Sequence, residues 1–270
     1  MTEKNDLELT VIVGCGGLLF HSMGSMMCAE NGRGLYNTTM FVDGDAYEER
    51  NGLRQPWGKR AVVGKSKAWI AAGRWERLNG SANARDVMVE SRTQLVELFG
   101  EMTENFTEKG RRNLARIVVL ALPDNDKARS VCARGAMIVS EKWPSKEVWF
   151  VTAGNNLDGG QAIGYRLRGG RWEDARITTA HDELWNPQEE QGGIAHCDAD
   201  VQQNRESNVL TAVCIGNVLE DLGTLQAGTE WYWHKTETGL SGAAASIWRE
   251  HIWVDPDQDD DEQKEEVKHG

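Results

Sequence analysis

The sequence predicts an α/β domain built on a mostly parallel, doubly wound sheet, closed by a β-rich C-terminal extension. Three observations carry this expectation. β-branched and aliphatic runs recur, helix-length segments separate them, and several runs end directly in glycine or an acidic residue. In such sheets ligands lie beyond the carboxyl ends of the strands. Gly14, Asp43 and Asp124 all fall at such ends.

Leu7 to Val13 alternates and reads as a strand; Gly14-Cys-Gly16-Gly17 then turns into an apolar helix from Leu18 to Ala29. Thr38 to Val42 reads as the second strand and delivers Asp43, and Gly64 to Leu78 has the composition of a helix with Lys67 in its first turns. Asp86 to Glu90 reads as a third strand, followed by a helix from Thr93 to Thr103. Ala115 to Leu122 is the clearest buried strand and meets Pro123-Asp124-Asn125; a helix from Lys127 to Ser140 and a strand from Glu147 to Thr152 follow. Gly159 to Leu167 opens hairpin structure. Arg168 to Cys197, rich in Gly, Asp, Glu and Asn, reads as a long loop, Ser207 to Leu222 as an apolar helix, and Glu230 to Lys235 and Ser246 to Val254 as Trp-rich strands.

The 270 residues suffice for one large domain, expected over residues 1–254, with an acidic, disordered tail over 255–270. Asp255 to Glu266 carries eight acids against Lys264, leaving −5 of the net −12 for the rest, which argues against nucleic acid as a ligand. No apolar run approaches the ~20 residues of a membrane span, and the N-terminus is polar, so a cytoplasmic location away from membranes is expected. Five cysteines without a C-x-x-C pair argue against a disulfide framework and a four-thiolate zinc site.

The segment Asp43-Gly-Asp45-Ala-Tyr-Glu-Glu-Arg-Asn51-Gly-Leu-Arg54-Gln55, with Lys67 beyond it, concentrates carboxylates, an amide, a guanidinium and an ammonium after a strand. That set suits a nucleotide and its metal: a strand-end carboxylate takes ribose hydroxyls, Arg and Lys take phosphate oxygens. The glycine turn alone is a weaker signal, because such turns also pack helices onto sheets. Leu19 and Phe20 stand where a dinucleotide fingerprint needs its third small residue, which counts against a nicotinamide oxidoreductase.

Read as D-x-D-x-[aromatic or aliphatic]-E-x-x-N-x-L-R-Q, then G-x-x-K, then Asp124-Asn125-Asp-Lys-Ala-Arg129 as D-N-x-x-x-R, the chain resembles the ubiquitin-activating-enzyme-like superfamily (ThiF, MoeB and HesA). The resemblance implies a Rossmann-like adenylation domain that uses ATP and Mg²⁺ to activate the C-terminal glycine of a ubiquitin-like or sulfur-carrier protein. It implies a homodimer, and a conjugating enzyme as a further partner. By matching position, Asp43 would hold the ribose, Asn51, Arg54 and Lys67 the phosphates, and Asp124 the Mg²⁺, with Asp45, Gln55 and Asn125 in the same motifs. Gly14, Gly16 and Gly17 would let the backbone approach the nucleotide. The chemistry agrees. An ionised carboxylate attacking a phosphate needs no general base, only positioning and positive charge, which Arg54 and Lys67 would supply.

Farther along, Gly154-Asn155, Gly160-Gln161, His181 to Leu184, and Cys197 before Gln202, Gln203 and Asn208 resemble the ThiF-like proteins of PRTRC plasmid systems. Cys197 lies where related enzymes place a thioester-forming cysteine, although the neighbouring acids Asp198 and Asp200 would raise its pKa. Cys15, Cys28, Cys132 and Cys214 read as core thiols. The eleven tryptophans read as core or interface, and zinc is not expected. No arginine precedes Arg33, where many members of the superfamily carry one that reaches a partner subunit's site. Lys59 or Arg60 is a substitute source of that charge. A nucleotide-binding scaffold that no longer adenylates therefore stands as the alternative, with an NAD-dependent oxidoreductase behind it.

Overall fold

The computed structural model describes residues 6–33, 36–53, 55, 62–79, 81–107, 113–155, 158–174, 176–185, 205–222, 228–236 and 239–247. In chain order the elements are β1 (Asp6–Val13), α1 (Gly17–Arg33), β2 (Tyr36–Val42), α2 (Lys67–Asn79), β3 (Ala82–Arg85), α3 (Arg92–Thr107), β4 (Asn113–Ala121), α4 (Asp126–Lys142), β5 (Glu147–Asn155), β6 (Gly159–Arg168), β7 (Arg171–Trp172), α5 (Arg176–Ala180), α6 (Arg205–Asp221), β8 (Gly228–Thr236) and β9 (Gly239–Ile247). One sheet runs β3-β2-β1-β4-β5-β6-β8-β9, with β7 paired to β6. β3 through β5 in that order are parallel, and β6, β7, β8 and β9 add antiparallel, forming the expected β-rich extension.

Side-chain alternation on the strands decides which helices cover which face. Val11, Ile117, Val119 and Phe150 point toward Leu95, Phe99 and Met102 of α3 and Ala133 and Val139 of α4. Ile12, Val118, Leu120 and Trp149 point the other way, toward Leu19 and Met23 of α1, Trp75 of α2 and Ile215 and Val218 of α6. Covered on both faces, β1 is buried after its first residue, which is why it reads as a nearly continuous apolar run. α1 and α2 thus lie on one face and α3 and α4 on the other. The strand order reverses at the β1/β4 boundary, opening a crevice at their carboxyl ends.

Several expectations need correction. The third strand is Ala82–Arg85, not Asp86 to Glu90: β2 offers pairing partners only from Thr39 to Val42, and the later residues lie past its end. Arg168 to Cys197 is not wholly a loop. Gly169 and Gly170, at φ +56° and +80°, make a tight turn that folds Trp172 back onto β6 and buries it, and α5 and a 3-10 turn (Asp182–Leu184) follow. His181, buried there, contacts Glu230 of β8 at 3.3 Å, and the same carboxylate accepts from Tyr165. The last strand among the described residues is Gly239–Ile247, beginning earlier than expected, a small-residue segment of low intrinsic β preference that forms because β8 pairs with it along its length; residues 248–254 lie outside the described residues. Cys28 is exposed rather than core, because the inward phase of α1 passes through Met23 and Met26. The expected tail over 255–270 also lies outside the described residues.

At the sheet end remote from the crevice, charges ladder across four strands. Glu8 of β1 faces Arg116 of β4 at 3.5 Å, Arg116 meets Glu147 of β5 at 2.8 Å, and Arg166 of β6 lies 3.6 Å from Glu147. Asn37 of β2 donates to Glu8 at 2.9 Å.

Candidate active site

The site begins at the β1–α1 turn. Gly14 lies at φ +90°, and a Cβ there would come within 2.8 Å of the backbone of Leu122 and Pro123, so no side chain fits between the ends of β1 and β4. The Gly14 N–H donates to the Val42 carbonyl and the Leu122 N–H to the Val13 carbonyl, which locks the ends of β2, β1 and β4 together. Asp124 stands exposed one residue beyond that contact.

Asp43, at the end of β2, turns its carboxylate toward this turn. Oδ2 accepts from the Cys15 N–H at 2.6 Å and Oδ1 from the Asp45 N–H at 2.8 Å. Burial raises its pKa above the ordinary 3.8, and Lys67 and the two N–H groups only partly oppose that. Each oxygen keeps a lone pair for a further donor, as a ribose diol requires. Because the folded-state pKa lies above the unfolded one, ionising Asp43 costs stability: its contribution falls as pH rises from 3.8 through the raised value. The wild type should therefore lose thermal stability relative to Asp43→Asn between pH 4 and pH 7, a range of about three units above the ordinary carboxylate value. A constant difference in midpoint would contradict this account.

Lys67 is brought to Asp45 by a short antiparallel bridge, Ala46 against Ser66. The Tyr47 N–H donates to Lys65, the Gly64 N–H to Tyr47 and the Lys67 N–H to Asp45. The mostly buried Lys67 Nζ then donates to Asp45 Oδ2 at 2.8 Å. Asn51 is buried and its Oδ1 accepts from the Glu48 N–H, while Tyr47 donates its hydroxyl to the Gln55 carbonyl at 2.7 Å. Gln55 is buried, its Nε2 3.7 Å from where a Cβ on Gly16 would stand. The structure thus gathers Gly14, Gly16, Asp43, Asp45, Gln55 and Lys67 around one turn, with Asn51 joined to Gln55 through its carbonyl, which accepts from the Gln55 N–H. Arg54, Lys59, Arg60 and Cys197 lie outside the described residues.

The D-N-x-x-x-R motif shows a division of labour. Asn125 caps α4, its Oδ1 accepting from the Ala128 N–H at 2.7 Å, and so serves the helix with that oxygen. Arg129 staples the same loop, donating to the Pro123 carbonyl at 3.0 Å and the Asp124 carbonyl at 3.4 Å and pairing with Asp126. The Asp124 side chain is held at the rim. The Cys15 thiol is pushed well above 9.0, first by burial and then by Asp43, so at neutral pH only its backbone N–H acts in the site. Sequence reasoning missed that backbone donor, since no residue type encodes it, and missed Tyr47 as the tether of Gln55.

Comparison with solved structures follows the same architecture. The crystal structure of PaaA superposes at TM-score 0.54, 15% identical, over 92% of this chain and 64% of that one. E. coli MccB with AMPCPP and MccA gives 0.55 at 16% identity over 90% and 64%, and the microcin C7 biosynthetic enzyme MccB with N-formylated MccA gives 0.54 at 15% over 90% and 65%. The chain has their fold. It is the Rossmann-like fold that the ubiquitin-activating-enzyme-like resemblance implies, and the chain spans about two thirds of the length of these structures. No protein-family description matches the sequence, and no curated protein does. Among the described residues no helix is long and apolar enough to cross a membrane.

Proposed function

We propose that this chain is an ATP-dependent adenylating enzyme that activates the C-terminal carboxylate of a polypeptide, with a ubiquitin-like or sulfur-carrier protein ending in glycine as the substrate. One observation carries the reading: a side-chain-free turn, a doubly hydrogen-bonded Asp43 and a buried Lys67 meet in one cluster at the strand-order reversal. The cluster fits a nucleotide chemically. Asp43 offers paired acceptors to ribose hydroxyls, the N-terminus of α1 offers N–H donors to phosphate, and Lys67 offers a cation. That MccB has been crystallised with ATP and with AMPCPP supports the same reading.

Mg²⁺ is commonly bound by one or two carboxylates together with substrate phosphates, so Asp124 at the rim suffices as its protein ligand. When bound, the metal would neutralise phosphate charge. The chain's own part is to hold the triphosphate by Lys67, with Arg54 as a second cation, and to orient the ribose by Asp43. The acceptor carboxylate attacks the α-phosphorus, the bond to the bridging oxygen breaks, and pyrophosphate leaves with the electron pair; no proton moves.

ATP–pyrophosphate exchange in the presence of a ubiquitin-like protein ending in Gly-Gly tests this. Asp124→Ala should lower exchange roughly 100-fold or more with the thermal midpoint unchanged. Unaltered turnover would remove Asp124 as metal ligand. ATP binding without exchange for any acceptor would instead favour a nucleotide-binding scaffold. The homodimer and a thioester on Cys197 belong to the same proposal, the latter tested by loss of a thiol-sensitive adduct in Cys197→Ala.

A further inference from the structure

The glycine turn has two unlike sides. Gly16 looks toward Gln55 and the charged β2 side, whereas Gly17 looks toward α6: a Cβ on Gly17 would stand 2.4 Å from Asn208 Nδ2. Helices α1 and α6 run parallel, since Gly17 abuts Asn208 and, eight residues on in each, Ser25 abuts Gly216, where a Cβ would come within 2.6 Å of the serine Cβ. Both 17-residue helices therefore present their N-termini, with first-turn backbone N–H groups and partial positive charge, at the same place.

A neutral polar cluster fills that convergence. Asn155, at the end of β5, donates Nδ2 to Ser207 Oγ at 2.9 Å and to Asn208 Oδ1 at 3.2 Å. Asn155 Oδ1 and Asn208 Nδ2 are buried without a hydrogen-bond partner among the described residues. Asn208 itself is 1% exposed, and its unsatisfied donor is aimed into the junction at Gly17. Two helix N-termini and an unused amide donor supply donors and call for an acceptor-rich anion. The charged neighbours on that turn of α6, Arg205 and Glu206, are exposed and of opposite sign.

We propose that Asn155, Ser207 and Asn208, at the joined N-termini of α1 and α6, form the subsite for the acceptor's terminal carboxylate. This rests on the adenylation reading above. In-line displacement requires the nucleophile to approach the α-phosphorus opposite the departing pyrophosphate. The cation Lys67 serves the β2 side of the turn, and the α6 side is the opposite one. Neutral amide and backbone donors suit a carboxylate that must stay nucleophilic, since they orient it without a full countercharge. The amide of Asn208 turns its Nδ2 from Gly17 to the incoming oxygen, and Asn155 Nδ2 holds the Asn208 carbonyl oxygen in place.

The test compares binding of AMP with that of a non-hydrolysable glycyl-adenylate mimic, glycylsulfamoyl-adenosine, by calorimetry. The wild type should bind the mimic roughly tenfold more tightly than AMP, the value of about one hydrogen bond to a charged group. Asn208→Asp, which sets a like charge against the acyl oxygens, and Asn155→Leu should each remove that preference and leave AMP affinity within about twofold. Asn208→Asp keeps the oxygen that accepts from Asn155 Nδ2 and sets its charge at two helix N-termini, which offsets the cost of burying it, so a failure to fold in Asn155→Leu leaves the test intact. Retained preference in Asn208→Asp, or equal weakening of AMP and mimic, overturns the subsite. A wild type that binds AMP but shows no preference overturns this inference alone; a wild type that binds neither overturns the nucleotide reading with it.

Discussion

Replacing Lys67 with methionine is expected to weaken ATP binding roughly 10- to 150-fold, the range of one hydrogen bond to a charged group, and to leave adenosine binding unchanged. Lys67 is the first residue of α2, where the helix dipole opposes a cation, and it is largely buried beside two carboxylates rather than extended into water. Its attraction to Asp43 lowers that carboxyl's pKa, opposing the effect of burial. A lysine held at the wrong end of a helix is poorly explained by stability, since its partner Asp45 is half exposed and such pairs contribute little. Triphosphate binding explains it: the phosphates replace Asp45 as the better partner in a desolvated site. Thermal midpoints should move little. Calorimetric affinities for ATP, AMP and adenosine check the prediction, and an equal loss for adenosine would show that Lys67 only props the loop.

Arg116→Met should lower stability by about 3–5 kcal/mol, or roughly 10 °C in thermal midpoint for a chain of this size, without touching nucleotide affinity. Arg116 is nearly enclosed between Glu8 and Glu147. Removing it takes the guanidinium away from the Glu8 carboxylate, whose side chain is 1% exposed and which also accepts from the neutral Asn37 amide. The uncompensated charge is the large term; the intact pair contributes far less, because desolvation offsets its Coulomb attraction. Glu8→Gln/Arg116→Met should therefore recover much of the loss. A single variant within about 2 °C of the wild type would mean that water reaches Glu8.

These two sites show how differently parts of the molecule announce themselves in sequence. The strand–turn–helix order, β4 as a buried strand and the positions of Asp43, Lys67 and Asp124 at strand and helix ends were legible because each depends on neighbours a few residues away. β3 was misplaced by four residues because a short strand is chosen by its partner, here Thr39 to Val42, more than by its own composition. The start of β9 at Gly239 was missed for the same reason, its alanines acquiring strand geometry from β8. Trp172 and His181 were read within a loop because a two-residue strand and burial against β6 and β8 leave no periodic trace.

Chain order and residue type thus determined the fold class, the position of the glycine turn and the kind of ligand its surroundings suit, since periodicity and turn chemistry act locally. Only packing decided that Asp43 would be locked by the Cys15 N–H, that Lys67 would reach back 22 residues to Asp45, and that Gly17 would press on Asn208. Those contacts span stretches of chain that no local rule couples; they exist because two helices and three strand ends must share one dry crevice.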